Sequence, residues 1–176
     1  QQKGDECSQY INALVRDTTQ MNQVLPIHDP AVAGLIHSYR LLAEQQGCCL
    51  VPDIRDDLSH VVTNAYETNK IIGNLLQNAL DELTRQAAPG QIGLSIFKRG
   101  GCCLVRVSNR VSDPEAFLAR QEAIFRQGFT TKQGHDGVGL SSIRALARQH
   151  GGDVTVWLEG DTVHFVASIP MELTYP

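Results

Sequence analysis

The feature of this sequence that most restricts its fold is a pair of predicted β-hairpins in the second half of the chain. Apolar residues alternate with other residues on both sides of the turn Arg99-Gly100-Gly101, at Ile92, Leu94, Ile96, Cys103, Val105 and Val107. Strands near residues 154–158 and 163–169 flank a second turn, Glu159-Gly160-Asp161. Strands that a short turn connects are antiparallel. The hairpins therefore argue against a doubly wound parallel sheet and predict an α+β fold, with helices layered on a mixed sheet.

Apolar residues at helical spacing predict five helices before, between and after these hairpins. Asp29 and Pro30 predict the start of one helix and Gly47 its end, since Asp caps helices, Pro occupies their first turn and Gly follows their end. The predicted helices cover about residues 5–23, 30–46, 59–87, 114–125 and 140–150, and a short strand covers residues 48–52.

The composition indicates one ordinary domain with a short appendage. The chain has 176 residues, of which 42% are hydrophobic, and this is enough for a substantial core. The net charge of −4 gives no overall basic surface, so we expect no nucleic-acid partner. No apolar run reaches the ~20 residues that a membrane helix needs. The N-terminus has no signal-peptide pattern and does not begin with Met, which indicates a fragment.

The five cysteines are Cys7, Cys48, Cys49, Cys102 and Cys103. Neighbouring side chains of a strand point to opposite faces, so each adjacent pair is a poor chelator. An odd number of cysteines without a secretory signal favours reduced thiols in the cytoplasm. We predict core cysteines rather than a metal or redox centre.

The long helix predicted over residues 59–87 carries a polar face. At about 100° per residue, Asn78 lies about 40° from Asn74, and Asp81 lies about 20° on the other side. The opposite face carries Leu76, Ala79 and Leu83. Two asparagines inside a helix are mildly unfavourable by propensity. This face is either a solvated surface or a set of oxygens that coordinates a hard cation such as Mg²⁺, together with substrate phosphates.

A glycine-rich loop, IFRQGFTTKQGHDGVGL, precedes the last predicted helix. Gly137 and Gly139 permit close approach to the backbone, and the free N–H groups of a helix start favour an anion. Lys132 adds a positive charge for a terminal phosphate. The pattern is neither a Walker loop nor a Rossmann fingerprint. Taken alone, it is also compatible with a surface loop before an ordinary helix.

Together, these segments resemble the GHKL ATPase superfamily and, within it, the sensor histidine kinases. NLLQNALDE is similar to the asparagine box of that family, and residues 124–140 are similar to its phenylalanine box, ATP lid and second glycine box. HGGDVTV and FVASIP resemble its C-terminal end. The upstream segment PIHDPAVAGLIHSYRLLAEQQGCCLV resembles the di- and tricarboxylate-sensing kinases. The resemblance implies a two-layer α/β sandwich of the Bergerat type, preceded by a short helical segment.

The resemblance also implies the site residues. Asn78 would be the Mg²⁺ ligand with Asn74 as its partner, and Lys132 would belong to a lid over the γ-phosphate. Asn109 would occupy the position of the aspartate that reads adenine. The expected ATP-binding residues are Asn74, Asn78, Asp81, Asn109, Thr130, Thr131, Lys132, His135, Gly137, Gly139 and Leu140.

The segment around Asn109 departs from the family pattern D-x-G-x-G. The chain has VSNRVSDP there, with an asparagine for the aspartate and neither glycine. A carboxamide oxygen still accepts a hydrogen bond from an adenine amino group, but without the assistance of a full charge. We therefore expect weakened adenine binding.

The resemblance implies a phosphoacceptor histidine on a dimerisation helix, and none of the six histidines fits that role. We expect residues 1–27 to be the remnant of a dimerisation hairpin and residues 28–176 to be the ATP-binding catalytic domain. The γ-phosphoryl group of ATP would pass to a histidine on an upstream helix missing from this fragment, and then to a response regulator. We expect no catalytic residue within the fragment. The parent protein would be a homodimer and a membrane-anchored sensor whose kinase region is cytoplasmic.

Three alternatives remain open. The first is a kinase-like phosphotransferase or scaffold domain with degenerate nucleotide binding, which the segment around Asn109 favours. The second is an ATPase of the gyrase or mismatch-repair type. Those families place a catalytic glutamate one turn before the metal-binding asparagine, where this chain has Asn74, so hydrolysis by water activation is disfavoured. The third is a dimerisation module without enzymatic activity.

Overall fold

The structure is a computed structural model, and it describes residues 25–86, 89–126 and 139–172. Its elements are α1 (Pro30–Gln45), β1 (Cys49–Ile54), α2 (Ala65–Gln86), β2 (Gln91–Arg99), β3 (Cys102–Arg110), α3 (Pro114–Arg120), α4 (Gly139–Gln149), β4 (Asp153–Glu159) and β5 (Thr162–Pro170). The helix predicted over residues 5–23 lies outside the described residues, so the predicted boundary between residues 27 and 28 stays a prediction.

The five strands form one mixed sheet in the order β1-β2-β3-β5-β4. The strands β1 and β2 are parallel, and the other three pairs are antiparallel. Both predicted hairpins are therefore confirmed, as is the α+β fold class. Gly100 and Gly101 adopt positive φ angles of 59° and 76° in the first turn, a conformation that glycine adopts without steric cost.

The core lies between one face of this sheet and the helices. Alternate residues of each strand point to this face, and the leucine and isoleucine stripe of α2 packs on them. The largest fully buried side chains include Ile71, Ile72, Leu75, Leu76, Leu83, Ile92, Leu94, Ile96, Ile143 and Ile169. On the opposite face, Arg106 donates to Ser95 and Trp157 stacks on His164. The described part is thus a two-layer sandwich, as predicted.

Local sequence signals fixed the start of α1 but not that of α2. The Asp29 side chain accepts hydrogen bonds from the backbone N–H groups of Ala31 and Val32, as its predicted role as N-cap requires. The prediction that α2 begins near Ser59 is wrong, because the helix begins at Ala65. There, the Asn64 side chain accepts from the N–H of Glu67, and the Glu67 carboxylate accepts from the N–H of Asn64. Residues 61 and 62 instead bond to the end of β5.

The helix α3 is shorter than predicted. It ends at Arg120 rather than near Phe125, and a series of turns follows. The Gln121 amide donates to the carbonyl oxygen of Val156, and Ile124 is buried in the core. These contacts hold residues 121–124 against the sheet, and the helix does not continue through them. In the described part of the chain, no helix is long and apolar enough to cross a membrane.

Candidate functional site

The predicted polar face of α2 is present in the structure. Leu76, Ala79 and Leu83 are buried against the sheet, as predicted. Asn74, Asn78 and Asp81 are half-buried on the other side of the helix. Because they lie within about 60° of one another around the helix axis, they form one row of oxygen-bearing side chains.

The start of α4 lies directly against this row. A Cβ atom placed on Gly139 would lie 2.8 Å from Oδ1 of Asn74, which is closer than van der Waals contact allows. Asn74 itself is held, because its Nδ2 donates to the carbonyl oxygen of Lys70 at 2.7 Å. A larger residue at the first position of α4 would therefore displace the Asn74 side chain from this position, and we call this approach of Asn74 and Gly139 the glycine contact. It places the free N–H groups of a helix start beside a carboxamide oxygen.

The third residue of the row, Asp81, is connected to α1. Gln77 donates from Nε2 to Asp81 at 2.6 Å, and the hydroxyl of Tyr39 donates to Oε1 of Gln77 at 3.1 Å. Burial raises the pKa of the Tyr39 phenol, and the negative charge of Asp81 raises it further. The chain of hydrogen bonds fixes the Asp81 carboxylate relative to the helix layer.

Two ion pairs hold α4 in its place. Arg144 and Arg148 both donate to Oδ1 of Asp153, at 2.9 and 3.0 Å. Hydrogen bonds from Arg144 and then from Arg148 hold the pKa of Asp153 well below its usual range. The Arg144 guanidinium also lies 4.4 Å from the centre of the Phe125 ring, a cation–π contact. Phe125 thus packs on the same helix that begins at Gly139.

The far end of α4 is tied to the start of α2. Nε2 of His150 lies 3.1 Å from Oε1 of Glu67. The pKa of Glu67 is lowered by the backbone hydrogen bond from Asn64 and, after it, by the hydrogen bond from His150. The helices α2 and α4 are therefore connected at both ends of their contact, and this arrangement keeps Gly139 beside Asn74.

Asn109 lies near the end of β3 and is 3% exposed. Its Nδ2 donates to the carbonyl oxygen of Arg110 at 2.9 Å. The same carbonyl oxygen accepts from Nε2 of Gln86, the last residue of α2, at 3.0 Å. Asn109 is therefore joined to the last turn of α2 through the Arg110 carbonyl.

A carboxylate at the end of α2 organises this region. Oε1 of Glu82 accepts from Nε2 of Gln86 at 3.1 Å and from Arg85 at 2.7 Å. The backbone N–H of Ser112 donates to the same oxygen at 3.4 Å. We call the series from Glu82 through the Gln86 amide and the Arg110 carbonyl to the Asn109 amide the amide relay. It holds the segment in which the family pattern D-x-G-x-G would place glycines.

The structure brings part of the predicted site together. Asn74 and Gly139 touch, Asn78 and Asp81 continue the same helix face, and Leu140 packs against the core. The predicted residues Thr130, Thr131, Lys132, His135 and Gly137 lie outside the described residues. Sequence reasoning missed the amide relay and the pair Arg144 and Asp153. Glu82 and Gln86 are four residues apart on one helix, and this spacing was the only signal for the relay.

The cysteines within the described residues form no disulfide with one another. Cys48 and Cys103 are core residues, as predicted, whereas Cys49 is exposed and Cys102 is half-buried. Burial, followed by the charge of Asp56, raises the pKa of Cys103 to about 12, so its thiol stays protonated. No group of three or more His, Cys, Asp or Glu side chains in the described part could hold a metal ion.

Comparison with known proteins identifies the family. Residues 63–173, more than half of the chain, match the model of the histidine kinase-, DNA gyrase B- and HSP90-like ATPases. The sensor histidine kinase ZraS of Escherichia coli O157:H7 is 24% identical over 188 aligned residues, which cover 97% of this chain and 40% of ZraS. The sensor protein CitS of Halalkalibacterium halodurans is 29% identical over 154 residues, which cover 82% of this chain and 27% of CitS. The chain spans less than half of the length of either relative.

A solved structure shows the same architecture. The catalytic domain of the histidine kinase ThkA superposes with a TM-score of 0.64 at 25% identity, and the match covers 78% of this chain and 91% of that one. This chain belongs to the histidine kinase-, DNA gyrase B- and HSP90-like ATPase family, and its fold is that of a histidine kinase catalytic domain.

Proposed function

We propose that this chain is the ATP-binding catalytic region of a two-component sensor histidine kinase. The observation that carries the proposal is the glycine contact. It joins a helix start, which favours phosphate, to a row of side-chain oxygens that suits a hard cation. The two requirements of a magnesium nucleotide thus meet at one place.

In this proposal, Asn78 and Asn74 bind the Mg²⁺ ion of the nucleotide complex, and Asp81 lies beside them in the ATP site. Gly139 and Gly137 admit the phosphates at the start of α4, and Leu140 lies beside them. Thr130, Thr131, Lys132 and His135 belong to the lid. Mg²⁺, when bound, offsets negative charge on the phosphates. Asparagine oxygens and phosphate oxygens are ligands that this ion accepts, so the residues present fit it.

Asn109 receives the adenine base in this proposal. From Asn74 to Gln86, α2 rises about 18 Å, at 1.5 Å per residue. The amide relay therefore lies well removed from the glycine contact along the same helix, so one end can receive the base and the other the phosphates.

The reaction is phosphoryl transfer, which relies on positioning and on charge neutralisation. The accepting histidine is supplied by the upstream helix of a dimerisation hairpin, and residues 1–27 are the remnant of that hairpin. A response regulator receives the phosphoryl group afterwards. The parent protein is a homodimeric, membrane-anchored sensor with this region on its cytoplasmic side, and the resemblance to di- and tricarboxylate-sensing kinases stays a prediction.

The test is a calorimetric titration of MgATP into this chain. We expect saturable binding that is lost in Asn78→Ala and after removal of the metal with EDTA. The matched control is Asn69→Ala, which removes the same carboxamide from α2 about 140° around the helix from Asn74. The control is expected to bind like the wild type.

A folded wild-type chain that binds no nucleotide at millimolar concentration would refute the proposal. That result would favour the second candidate, a kinase-like phosphotransferase or scaffold domain. The observation in favour of that candidate is the segment after Asn109, which has neither glycine of the family pattern and is held by side-chain hydrogen bonds instead.

A further inference from the structure

We propose that Tyr39 and Gln77 are positioning residues of the nucleotide site, which hold the Asp81 carboxylate beside Asn78 and thereby raise the affinity for the magnesium nucleotide. This inference rests on the proposed function and adds to it two residues that lie outside the predicted site. It is carried by the hydrogen bonds from Tyr39 to Gln77 and from Gln77 to Asp81, a series that we call the tyrosine relay.

The tyrosine relay begins where α1 packs on the part of α2 that carries the site. Gly73 and Gln77 directly precede the two asparagines of the polar face. A Cβ atom on Gly73 would meet Leu35 at 3.6 Å and the Tyr39 ring at 4.0 Å, so these two side chains pack over Gly73. The Tyr39 hydroxyl donates to Gln77, one turn further along α2. The helix α1 therefore contacts α2 at the turns that carry the two asparagines.

The Asp81 carboxylate sets the direction of each hydrogen bond in the relay. A carboxylate can only accept hydrogen bonds, so Gln77 presents Nε2 to it, at 2.6 Å. The amide oxygen of Gln77 then faces Tyr39, which donates to it at 3.1 Å. Burial and, after it, the charge of Asp81 raise the pKa of the Tyr39 phenol, so the phenol keeps the proton that it donates. Turning the Gln77 amide over would place its oxygen against the carboxylate. Tyr39 therefore orients Gln77, and Gln77 orients Asp81.

The orientation of Asp81 affects binding because Mg²⁺ demands near-octahedral geometry and keeps several of its waters in protein sites. A carboxylate has about four acceptor positions, so Asp81 can accept from such water while Gln77 holds it. Partners that orient the groups around a metal typically change its affinity by about 10–100-fold. Tyr39 acts through two hydrogen bonds in series, so its loss should weaken the binding of the magnesium nucleotide without abolishing it.

The experiment measures MgATP binding by calorimetry on the wild type, Tyr39→Phe and Gln77→Leu, with thermal unfolding as the measure of folding. Tyr39→Phe removes the hydroxyl and keeps the ring on Gly73. We expect the Kd to rise about threefold in Tyr39→Phe and about fivefold or more in Gln77→Leu, which loses both hydrogen bonds. Both bonds are exposed, so the thermal midpoint should change little. The matched control is Tyr66→Phe, at a tyrosine of α2 that is 75% exposed, and it should bind like the wild type.

A double-mutant cycle separates positioning through Asp81 from a merely structural role of Tyr39. In an Asp81→Ala background, Tyr39 has no carboxylate to position, so Tyr39→Phe should no longer change the Kd. A second measurement is the free Mg²⁺ concentration that half-saturates binding at a fixed concentration of ATP. This concentration should rise in Tyr39→Phe and stay at the wild-type value in Tyr66→Phe.

Wild-type affinity for MgATP in Tyr39→Phe would overturn the inference and leave the proposed function intact. So would an equal loss from Tyr39→Phe in the wild-type and Asp81→Ala backgrounds, since Tyr39 would then act without Asp81. A folded wild type that binds no MgATP would overturn the proposed function and this inference together.

Discussion

Two parts of α2, one beside Asn74 and one in its last turn, hold the neighbouring segments by different means. At the glycine contact, Gly139 has no side chain, and a Cβ atom there would lie 2.8 Å from Oδ1 of Asn74. At the amide relay, the Glu82 and Gln86 side chains form the hydrogen bonds that hold the segment after Asn109 in place. The first contact depends on the lack of a side chain at Gly139, and the second depends on a series of side-chain hydrogen bonds. A substitution should therefore change ligand binding most at the first contact and stability most at the second.

The largest effect is expected from Gly139→Ala. The new Cβ would lie 2.8 Å from Oδ1 of Asn74, so Asn74 must leave its hydrogen bond to Lys70 or α4 must shift. We expect the Kd for MgATP to rise at least tenfold, which is about 1.4 kcal/mol, with little change in the thermal midpoint. Calorimetry and thermal unfolding measure the two quantities.

The matched control for this prediction is Gly34→Ala, in the middle of α1. A Cβ there meets nothing within 4 Å. Alanine should stabilise the helix by roughly 0.5–1 kcal/mol and leave the Kd unchanged. Wild-type affinity in Gly139→Ala would mean that Asn74 moves aside without cost, and the glycine contact would then not be what the ligand requires.

A smaller effect, on stability, is expected from Glu82→Ala. The substitution removes the acceptor for Arg85, Gln86 and the N–H of Ser112 at once. We expect the free energy of unfolding in urea to fall by about 1 kcal/mol, because the part-buried Gln86 amide and two exposed donors lose their shared acceptor. The control is Glu44→Ala, which removes an exposed pair with Arg40 and should cost less than about 0.5 kcal/mol. Equal losses in the two variants would show that the relay contributes nothing beyond a surface ion pair.

The smallest effect is an acid dependence of the ion pairs that hold α4. Because the pKa of Asp153 is lowered in the folded state, its contribution to stability is complete above the unfolded value of about 3.9 and is lost as the pH falls below it. Asp153 is about a third exposed, so solvent screening keeps this contribution below about 1 kcal/mol. Urea unfolding of the wild type and Asp153→Asn should therefore differ near pH 7, and the difference should shrink steadily as the pH falls below about 3.9.

The control for the acid dependence is Asp53→Asn, whose carboxylate pairs with Arg55 on the surface. It should differ from the wild type by less than Asp153→Asn does near pH 7. A difference between wild type and Asp153→Asn that persists undiminished in acid would contradict the electrostatic origin of the effect.

The sequence determined the elements whose signals are local. The alternation on both sides of Arg99-Gly100-Gly101 and of Glu159-Gly160-Asp161 predicted both hairpins, because side chains of a strand alternate between faces. The N-cap at Asp29 and the glycines after Gln149 marked helix ends in the same way. The spacing of Asn74, Asn78 and Asp81 placed them on one helix face. Each of these signals needs only neighbours within a few residues.

Tertiary contacts decided the rest. The helix α2 begins at Ala65 rather than near Ser59, because residues 61 and 62 find hydrogen-bond partners at the end of β5. The contact of Gly139 with Asn74 and the relay from Glu82 to Asn109 join residues that are distant in the sequence. The spacing of residues in the sequence predicts which of them share a face of a helix or strand, but it does not predict which of these faces pack together. The packing of α2 and α4 on the sheet, which buries the leucine and isoleucine stripe of α2, brought those faces together.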